Sequence, residues 1–342
     1  MSTGGDGERG RVRMVDVARR AGVGTITVSR ALRTPERVSP AVRERVRAAI
    51  DATGYVPNLA AGTLKSQRSR VVAAIVPTLR NTIFAETIEG LAEGLRPHGL
   101  QLLIASSGYS PEAEASILHN LLGQQPVAVV LTGTRHAPRV RPLLRGRGLP
   151  VVETWELDDD PIDRIVGFSN FEAARRMTRE LAARGHRRIA FAGTPPRLEH
   201  RAAQRLAGYR SAMAELGLRP DVVTLDELGV TIASGERALA ELLARPTPPQ
   251  AVFFVNDVAA FGAAQACQRL GVAVPDRLAI AGFGDFELAR ASNPPLTTVR
   301  IPGERIGRTA AQLIAARLAR GDDREVPRAV DLGFEIVARA SA

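Results

Sequence analysis

The sequence predicts two fold classes in one chain. An all-α head of three short helices, built around a helix-turn-helix, precedes a much longer α/β domain of two doubly wound, parallel-sheet lobes. Three observations predict this. Met14 to Ser29 reads MVDVARRAGVGTITVS, two short helical patterns around a Gly-containing turn. From Val71 onward, short apolar runs alternate with amphipathic helical stretches, and the series occurs twice. Charge divides the same way: residues 1–70 hold fourteen Arg or Lys against six Asp or Glu, a surplus of eight within a whole-chain net of +10.

Residues 1–12, rich in Gly and Arg, are expected to form a disordered basic tail, and they lack the apolar stretch of a secretory signal. The head is placed at 13–57. In its first helix Val15, Val17, Ala18 and Ala21 gather on one face while Arg19 and Arg20 point outward, and Gly22 supplies the left-handed geometry of a helix end. Val23 is apolar inside the turn, as a plug between two helices would be. The second helix turns Val28, with Leu32, inward. Thr25, Ile26, Ser29 and Arg30 are left to face outward, and with Thr27 they form an N-terminal end of short side chains that fits a major groove. Ser39 and Pro40 open a third helix as cap and first residue, with Val42, Val46, Ala49 and Ile50 inward. Residues 58–70 read as a hinge helix of about two turns plus a linker, too short and too polar to be stable alone. The concentrated positive charge is the footprint of phosphate binding.

In the long domain, VVAAIV, LQLLIA, VAVVLT and PVVETW read as buried parallel strands of a first lobe, and HRRIAFAG, VVTLDE, AVFFVND and LAIAGFGD as those of a second. The lobes are placed at about 71–166 with 298–324, and about 167–297 with 325–342. Ligands of such sheets sit at the carboxyl ends of the strands, so the interlobe cleft is the expected site. The lone Cys267 cannot form an internal disulfide, and no apolar run approaches the roughly 20 residues of a membrane span, so a cytoplasmic, reduced setting is expected.

Catalytic chemistry is not legible. His98, His119, His136, His186 and His200 are scattered without metal-ligand spacing, and His186, between a helix and a strand, reads as structural. There is no nucleophile elbow, phosphate-binding loop or dinucleotide fingerprint. The domain therefore reads as a sensor that binds without turnover, with no cofactor and no metal.

The stretches DVARRAGVGTITVSRAL, RVSPAVRERVRAAIDATGYVPN and AAGTLK resemble the head and hinge of the LacI/GalR family of bacterial transcription regulators. The similarity continues through GHRRIAFAG, RLAGY, FFVND, GVAVPDRLAIAGF and PPLTTVR, over about 330 residues. Within that family, GFSNFEAARRMT, GYSPEAE and the terminal DLGFEIV are most similar to gluconate-operon repressors. The resemblance implies a periplasmic-binding-protein-like effector domain, a homodimer, and a palindromic double-stranded operator. It implies that paired hinge helices enter the minor groove with Leu64 as the apolar wedge, for which unstacking needs bulk without competing hydrogen bonds. It places Thr25 and Ile26 at the positions that most alter base preference, with Arg30 nearby, and makes Asn58, Lys65 and Arg68 candidates for phosphates. Two departures stand out: Gly24 where Ser commonly caps the recognition helix, and Arg13 where Thr can cap the first.

For the effector, the resemblance implies a set of residues at the cleft; among them Arg201 and Arg205 fall four apart on one predicted helix face and suit a shared anion. Arg205 matches the RLAGY-type arginine that contacts effectors in the family. Asn256 and Asp257, just after AVFFV, suit hydroxyl recognition, with helix capping by Asp257 an open alternative. Phe84 and Phe253 fall where relatives place rings against ligand, with core packing the alternative for both. Glu153 and Trp155 flank the cleft side of a strand, and Ser169 stands where close relatives carry Asp. Gly284 replaces the Asp that many members have there, and Asp285 follows one residue later. A displaced Asp is compatible with a carboxylated ligand. The reading is an allosteric repressor governed by gluconate or a near relative. Another sugar, a sugar phosphate or a nucleobase is the alternative effector, and a sugar-binding receptor without a DNA role is the alternative class.

Overall fold

The computed structural model describes residues 12–55, 69–80, 83–225, 230–320 and 326–342, which fall into two compact units divided after Ser69. In the first unit, α1 (Met14–Ala21), α2 (Thr25–Arg33) and α3 (Pro40–Thr53) enclose a core of Val17, Ala18, Ala21, Val28, Val46, Ala49 and Tyr55. Gly22 ends α1 at φ +63°, and Val23 packs on that core from the turn. At the start of α1 the Arg13 N–H donates to the Asp16 carboxylate at 2.9 Å and the Asp16 N–H donates to the Arg13 carbonyl at 2.9 Å, so the first turn is held without a Thr hydroxyl. Two expectations are corrected. Val15 is exposed, because a two-residue step turns it about 160° from Val17. Leu32 is also exposed, at the last turn of α2 beside Pro35 and Pro40. The hinge candidates Asn58, Leu64, Lys65 and Arg68 lie outside the described residues.

The second unit holds two six-stranded sheets. Strands β1 (Val71–Val76), β2 (Gln101–Ser106), β3 (Ala128–Thr132), β4 (Val151–Thr154), β5 (Arg164–Gly167) and β11 (Ala329–Asp331) build the first, in the order β11-β5-β4-β3-β1-β2 and all parallel. Strands β6 (Ile189–Gly193), β7 (Asp221–Thr224), β8 (Ala251–Phe254), β9 (Ala279–Gly284), β10 (Thr297–Arg300) and β12 (Glu335–Val337) build the second, in the order β12-β10-β9-β8-β6-β7, with only β12 antiparallel to its neighbour.

Helices α4 (Ala85–Leu95), α5 (Pro111–Leu122), α6 (Val140–Arg145) and α12 (Gly303–Arg320) accompany the first sheet; α7 (Asn170–Ala183), α8 (His200–Glu215), α9 (Ile232–Leu243), α10 (Asp257–Leu270) and α11 (Glu287–Ala291) accompany the second. The chain crosses between lobes at 168–169, 301–302 and 332–334. The last two crossings fall later than expected, because β10 pairs in register with β9 (Thr298 opposite Gly282) and β11 pairs with β5 (Val330 opposite Val166).

Helix contact is closest where glycine permits it. On α8, a Cβ at Gly208 would lie 2.1 Å from the Phe171 carbonyl oxygen of α7, which explains the glycine of the RLAGY segment.

Candidate functional site

On α2, Thr25, Ile26 and Arg30 are exposed, Thr27 and Ser29 are half-buried, and Val28 is fully buried. Ile26 leaves 72% of its surface in solvent, an apolar side chain that nothing among the described residues of its unit covers. Gly24 is the N-cap at φ −74° and ψ 155° and offers no side-chain acceptor, so the first N–H groups of α2 lack the usual hydroxyl.

In the second unit, the interlobe cleft lies at the carboxyl ends of β1, β3, β4 and β6. A cavity of about 270 Å³ is lined by Pro77, Ser107, Thr132, Gly133 and Glu156 from the first lobe and by Glu199, His200 and Arg201 from the second. A larger space of about 950 Å³ shares Tyr109, Ser110, Leu198 and Glu199 with it and reaches Thr231 and Asn256.

Arg201 and Arg205, one turn apart near the start of α8, are both buried, and the expected shared face is observed. Arg201 donates from Nε to Glu199 Oε1 at 3.2 Å and from Nη1 to the Thr132 carbonyl at 3.4 Å, which joins the lobes. Arg205 donates from Nη1 to Asn170 Oδ1 at 2.7 Å and lies 3.7 Å from Glu199 Oε1. Its Nε is buried and has no partner among the described residues.

Burial pulls the Arg201 guanidinium down, but Glu199, Glu156 and Tyr109 outweigh burial and hold its pKa above the usual value. Burial, reinforced by neighbouring Arg201, leaves the Arg205 pKa below its usual value, although Glu199 opposes. Arg205 therefore carries a positive charge that its surroundings only partly neutralise.

The two cations close the ends of a line of rings. The Arg201 guanidinium stands 5.8 Å from the Phe84 centroid; Phe84 meets Trp155 edge-on at 4.9 Å, Trp155 meets Phe168 at 6.0 Å, Phe168 meets Phe283 at 6.1 Å, and Arg205 lies 4.5 Å from Phe283. Trp155 takes φ +72°, a left-handed conformation that a bulky residue adopts only when its surroundings impose it. The surroundings do so through the Nε1–H bond to Thr87 Oγ1 at 3.1 Å and the Asn170 Nδ2–H bond to the Trp155 carbonyl at 2.9 Å.

The remaining candidates separate. Asn256 lines the larger space and caps α10, accepting from the Ala259 N–H at 3.1 Å. Ser169 caps α7 by accepting from the Glu172 N–H at 3.1 Å. Phe253 is fully buried against Phe191 in the second-lobe core. Glu153 is fully buried away from the rings, accepting from the Ile162 N–H and pairing with His136 Nε2 at 3.2 Å. Asp257 neither caps a helix nor faces the cavities: Thr298 Oγ1 donates to its Oδ1 at 2.6 Å and the Phe286 N–H to its Oδ2 at 2.9 Å, and burial raises its pKa to about 6. Asp285, at φ +59°, is held by Arg300 at 2.7 Å, by Arg290 at 3.3 Å and by Arg339. It lines a different cavity, with Glu86 and Glu304.

Sequence reasoning missed the acids of the site. Glu156, just after β4, accepts from the Thr134 N–H at 2.7 Å and pairs with His200 Nδ1 at 2.8 Å across the cleft. Burial raises its pKa, but the His200 hydrogen bond and Arg201 prevail and leave it below the usual value. Gly133, at φ +93°, keeps that corner open, since a Cβ there would lie 2.9 Å from Arg201 Nη1 and 3.1 Å from Glu156 Oε2. The run Glu199-His200-Arg201 was the available signal: acid, imidazole and base together at a strand-to-helix junction. Among the described residues no three His, Cys, Asp or Glu side chains converge as a metal site, and no helix is long and apolar enough to cross a membrane.

Comparison with known proteins agrees with this architecture. Residues 13–58 match the family described as bacterial regulatory proteins, lacI family, and residues 178–342 match a periplasmic binding protein-like domain. The HTH-type transcriptional regulator GntR of Escherichia coli K12 is 41% identical over 94% of this chain and 96% of its own. A lacI-family transcriptional regulator from Silicibacter pomeroyi superposes with a TM-score of 0.90 at 33% identity, over 96% of this chain and 99% of that one. A lac repressor dimer bound to operator and an anti-inducer shares the fold, with a TM-score of 0.82 at 24% identity over 96% and 98% of the two chains. The chain belongs to the lacI family of bacterial regulatory proteins.

Proposed function

We propose that this chain is a transcriptional repressor whose operator affinity is set by a sugar acid, gluconate or a near relative, held in the interlobe cleft. The observation that carries the reading is the buried pair Arg201 and Arg205 at the ends of a line of buried rings beside the cleft, with an N–H of Arg205 left without an acceptor among the described residues. A guanidinium suits a carboxylate, and rings suit the C–H face of a sugar chain. Resemblance to gluconate-operon repressors, together with the GntR relative, favours gluconate within that class.

DNA is engaged through α2, with Thr25, Ile26, Thr27, Ser29 and Arg30 toward the major groove of each half-site of a palindrome, read by a homodimer. Ile26 offers a thymine methyl an apolar contact and cannot hydrogen-bond. Asn58, Leu64 and Lys65 would act in the hinge, Leu64 as the minor-groove wedge. Effector binding shifts the populations of two lobe arrangements, held by contacts such as His200 to Glu156 and Arg201 to the Thr132 carbonyl, and thereby changes hinge order.

Anisotropy of a labelled palindromic duplex tests the reading. Binding should fall steeply with salt, and gluconate should release the DNA at fixed salt. No response at millimolar gluconate rejects the effector assignment. For Leu64→Ala, weaker specific binding with nonspecific binding retained is expected, whereas equal loss of both contradicts the wedge.

A further inference from the structure

The arginine pair already holds a carboxylate of its own. Glu199 stands at the end of the β6–α8 loop, mostly buried, and its Oε1 is the acceptor for Arg201 at 3.1 Å from Nη2 while lying 3.7 Å from Arg205 Nη2. Two buried guanidinium groups one turn apart repel each other, and removing them from water is unfavourable unless anions compensate. Glu156 supplies one negative charge, but its oxygens are committed to Thr134 and His200. Glu199 supplies the other, and among the described residues it is the one carboxylate within 4.0 Å of both guanidinium groups.

Its geometry toward Arg205 is nevertheless incomplete. The 3.7 Å separation exceeds a hydrogen bond, and Arg205 Nε is satisfied by nothing among the described residues. A better-placed carboxylate could take both the shared position and the idle N–H. Glu199 also lines both cleft cavities, so it is reachable from either.

We propose that Glu199 is an internal occupant of the Arg201–Arg205 anion site, which an effector's carboxylate displaces, and that Glu199 thereby sets the cleft's selectivity between carboxylated and neutral ligands. The proposal rests on the cleft being the effector site but not on the effector being gluconate. A carboxylate entering beside an undisplaced Glu199 would meet like charge in a low-dielectric corner, whereas a neutral sugar would not. Binding of an acid is therefore an exchange of one carboxylate for another, while a neutral polyol leaves the internal pair in place.

The test uses full-length protein, the substitution Glu199→Gln, and acetate as the smallest carboxylate probe, with gluconate and glucose alongside, all at constant ionic strength. Affinity is read from calorimetry and from ligand-dependent unfolding midpoints. E199Q should bind acetate and gluconate roughly tenfold or more tightly than wild type, with little change for glucose. An E199Q protein that folds only when acetate is present supports the same conclusion, since acetate then replaces the missing carboxylate.

If E199Q cannot be obtained folded, the charge-balanced variant E199Q/R201Q isolates Arg205, and acetate binding tighter than that of wild type is again expected. Unchanged acetate affinity in the folded variant overturns the proposal. Acetate binding to E199Q with no gluconate binding to either protein leaves the proposal standing and rejects gluconate as effector.

Discussion

Arg205 places its guanidinium carbon 4.5 Å from the Phe283 ring centroid, and Asn170 holds the same group at 2.7 Å through Oδ1. A ring on one side and an amide at one end fix the plane of the fork, so the remaining N–H groups have a set direction. Lys has neither the plane nor a second donor nitrogen. Arg205→Lys is expected to lower effector affinity by at least about tenfold while leaving operator affinity in the absence of effector close to wild type. Calorimetry with gluconate and duplex anisotropy without it check the two halves of that expectation.

The triad Glu114–His136–Glu153 predicts a pH dependence of stability. His136 Nδ1 sits 2.6 Å from Glu114 and Nε2 sits 3.2 Å from Glu153; both acids are buried, and the imidazole side chain is 5% exposed. Burial opposes the imidazolium, but the two carboxylates prevail and raise its pKa from 6.5 to about 9. The folded-state value lies above the unfolded one, so this contribution is full below about pH 6.5 and is lost as pH rises through about 9. Its size is on the order of 3 kcal/mol. Urea unfolding at pH 6.5 and 9.5 should show wild type losing stability over that interval, and His136→Gln should flatten that part of the difference.

Gly208→Ala reverses the usual helix preference. Alanine in a helix interior ordinarily gains close to about 1 kcal/mol over glycine. Here the added methyl would sit 2.1 Å from the Phe171 carbonyl oxygen and 3.1 Å from the Arg175 amide nitrogen, both backbone atoms of α7. The contact prevails, and a net loss of about 1–3 kcal/mol is expected from thermal unfolding.

On the DNA-reading helix, Ile26 and Val28 should behave oppositely. Val28→Ala opens a void beside Val17 and Val46 and should cost about 2 kcal/mol of head stability. Ile26→Ala should change stability by no more than about 0.5 kcal/mol, yet alter discrimination among operator variants by about 1–3 kcal/mol at one base pair. Circular dichroism melts and competition against single-base operator variants separate the two.

The head and the strand-helix alternation were legible because each rests on several turns or runs of consistent pattern. The strands left out of that reading, β5, β10, β11 and β12, are three or four residues long and carry no usable periodicity. The site was half legible. Arg201 and Arg205 are legible because the family resemblance places them at the cleft and helical spacing puts them on one face.

Glu153 and Trp155 were paired as neighbours on one side of β4, but the positive φ of Trp155 breaks the alternation at the strand end, sending the indole toward Phe84 and leaving the carboxylate with His136. Phe253 falls within β8 and so packs into the core, whereas Asn256, two residues past its end, reaches the cleft. Asp285 is turned by its own left-handed backbone onto Arg300 and Arg339. Glu156 and Glu199 belong to no periodic element, and only tertiary placement brings them to the arginines.

The most direct measurement of the central claim is calorimetric titration of full-length protein with gluconate, alone and again when saturated with its palindromic duplex. Linkage requires any effect of ligand on DNA affinity to appear as an equal effect of DNA on ligand affinity. The account predicts gluconate binding at least about fivefold weaker to the DNA complex, matching the fold-change in operator affinity. Equal gluconate affinity for free and DNA-bound protein, or no binding to either, would contradict it.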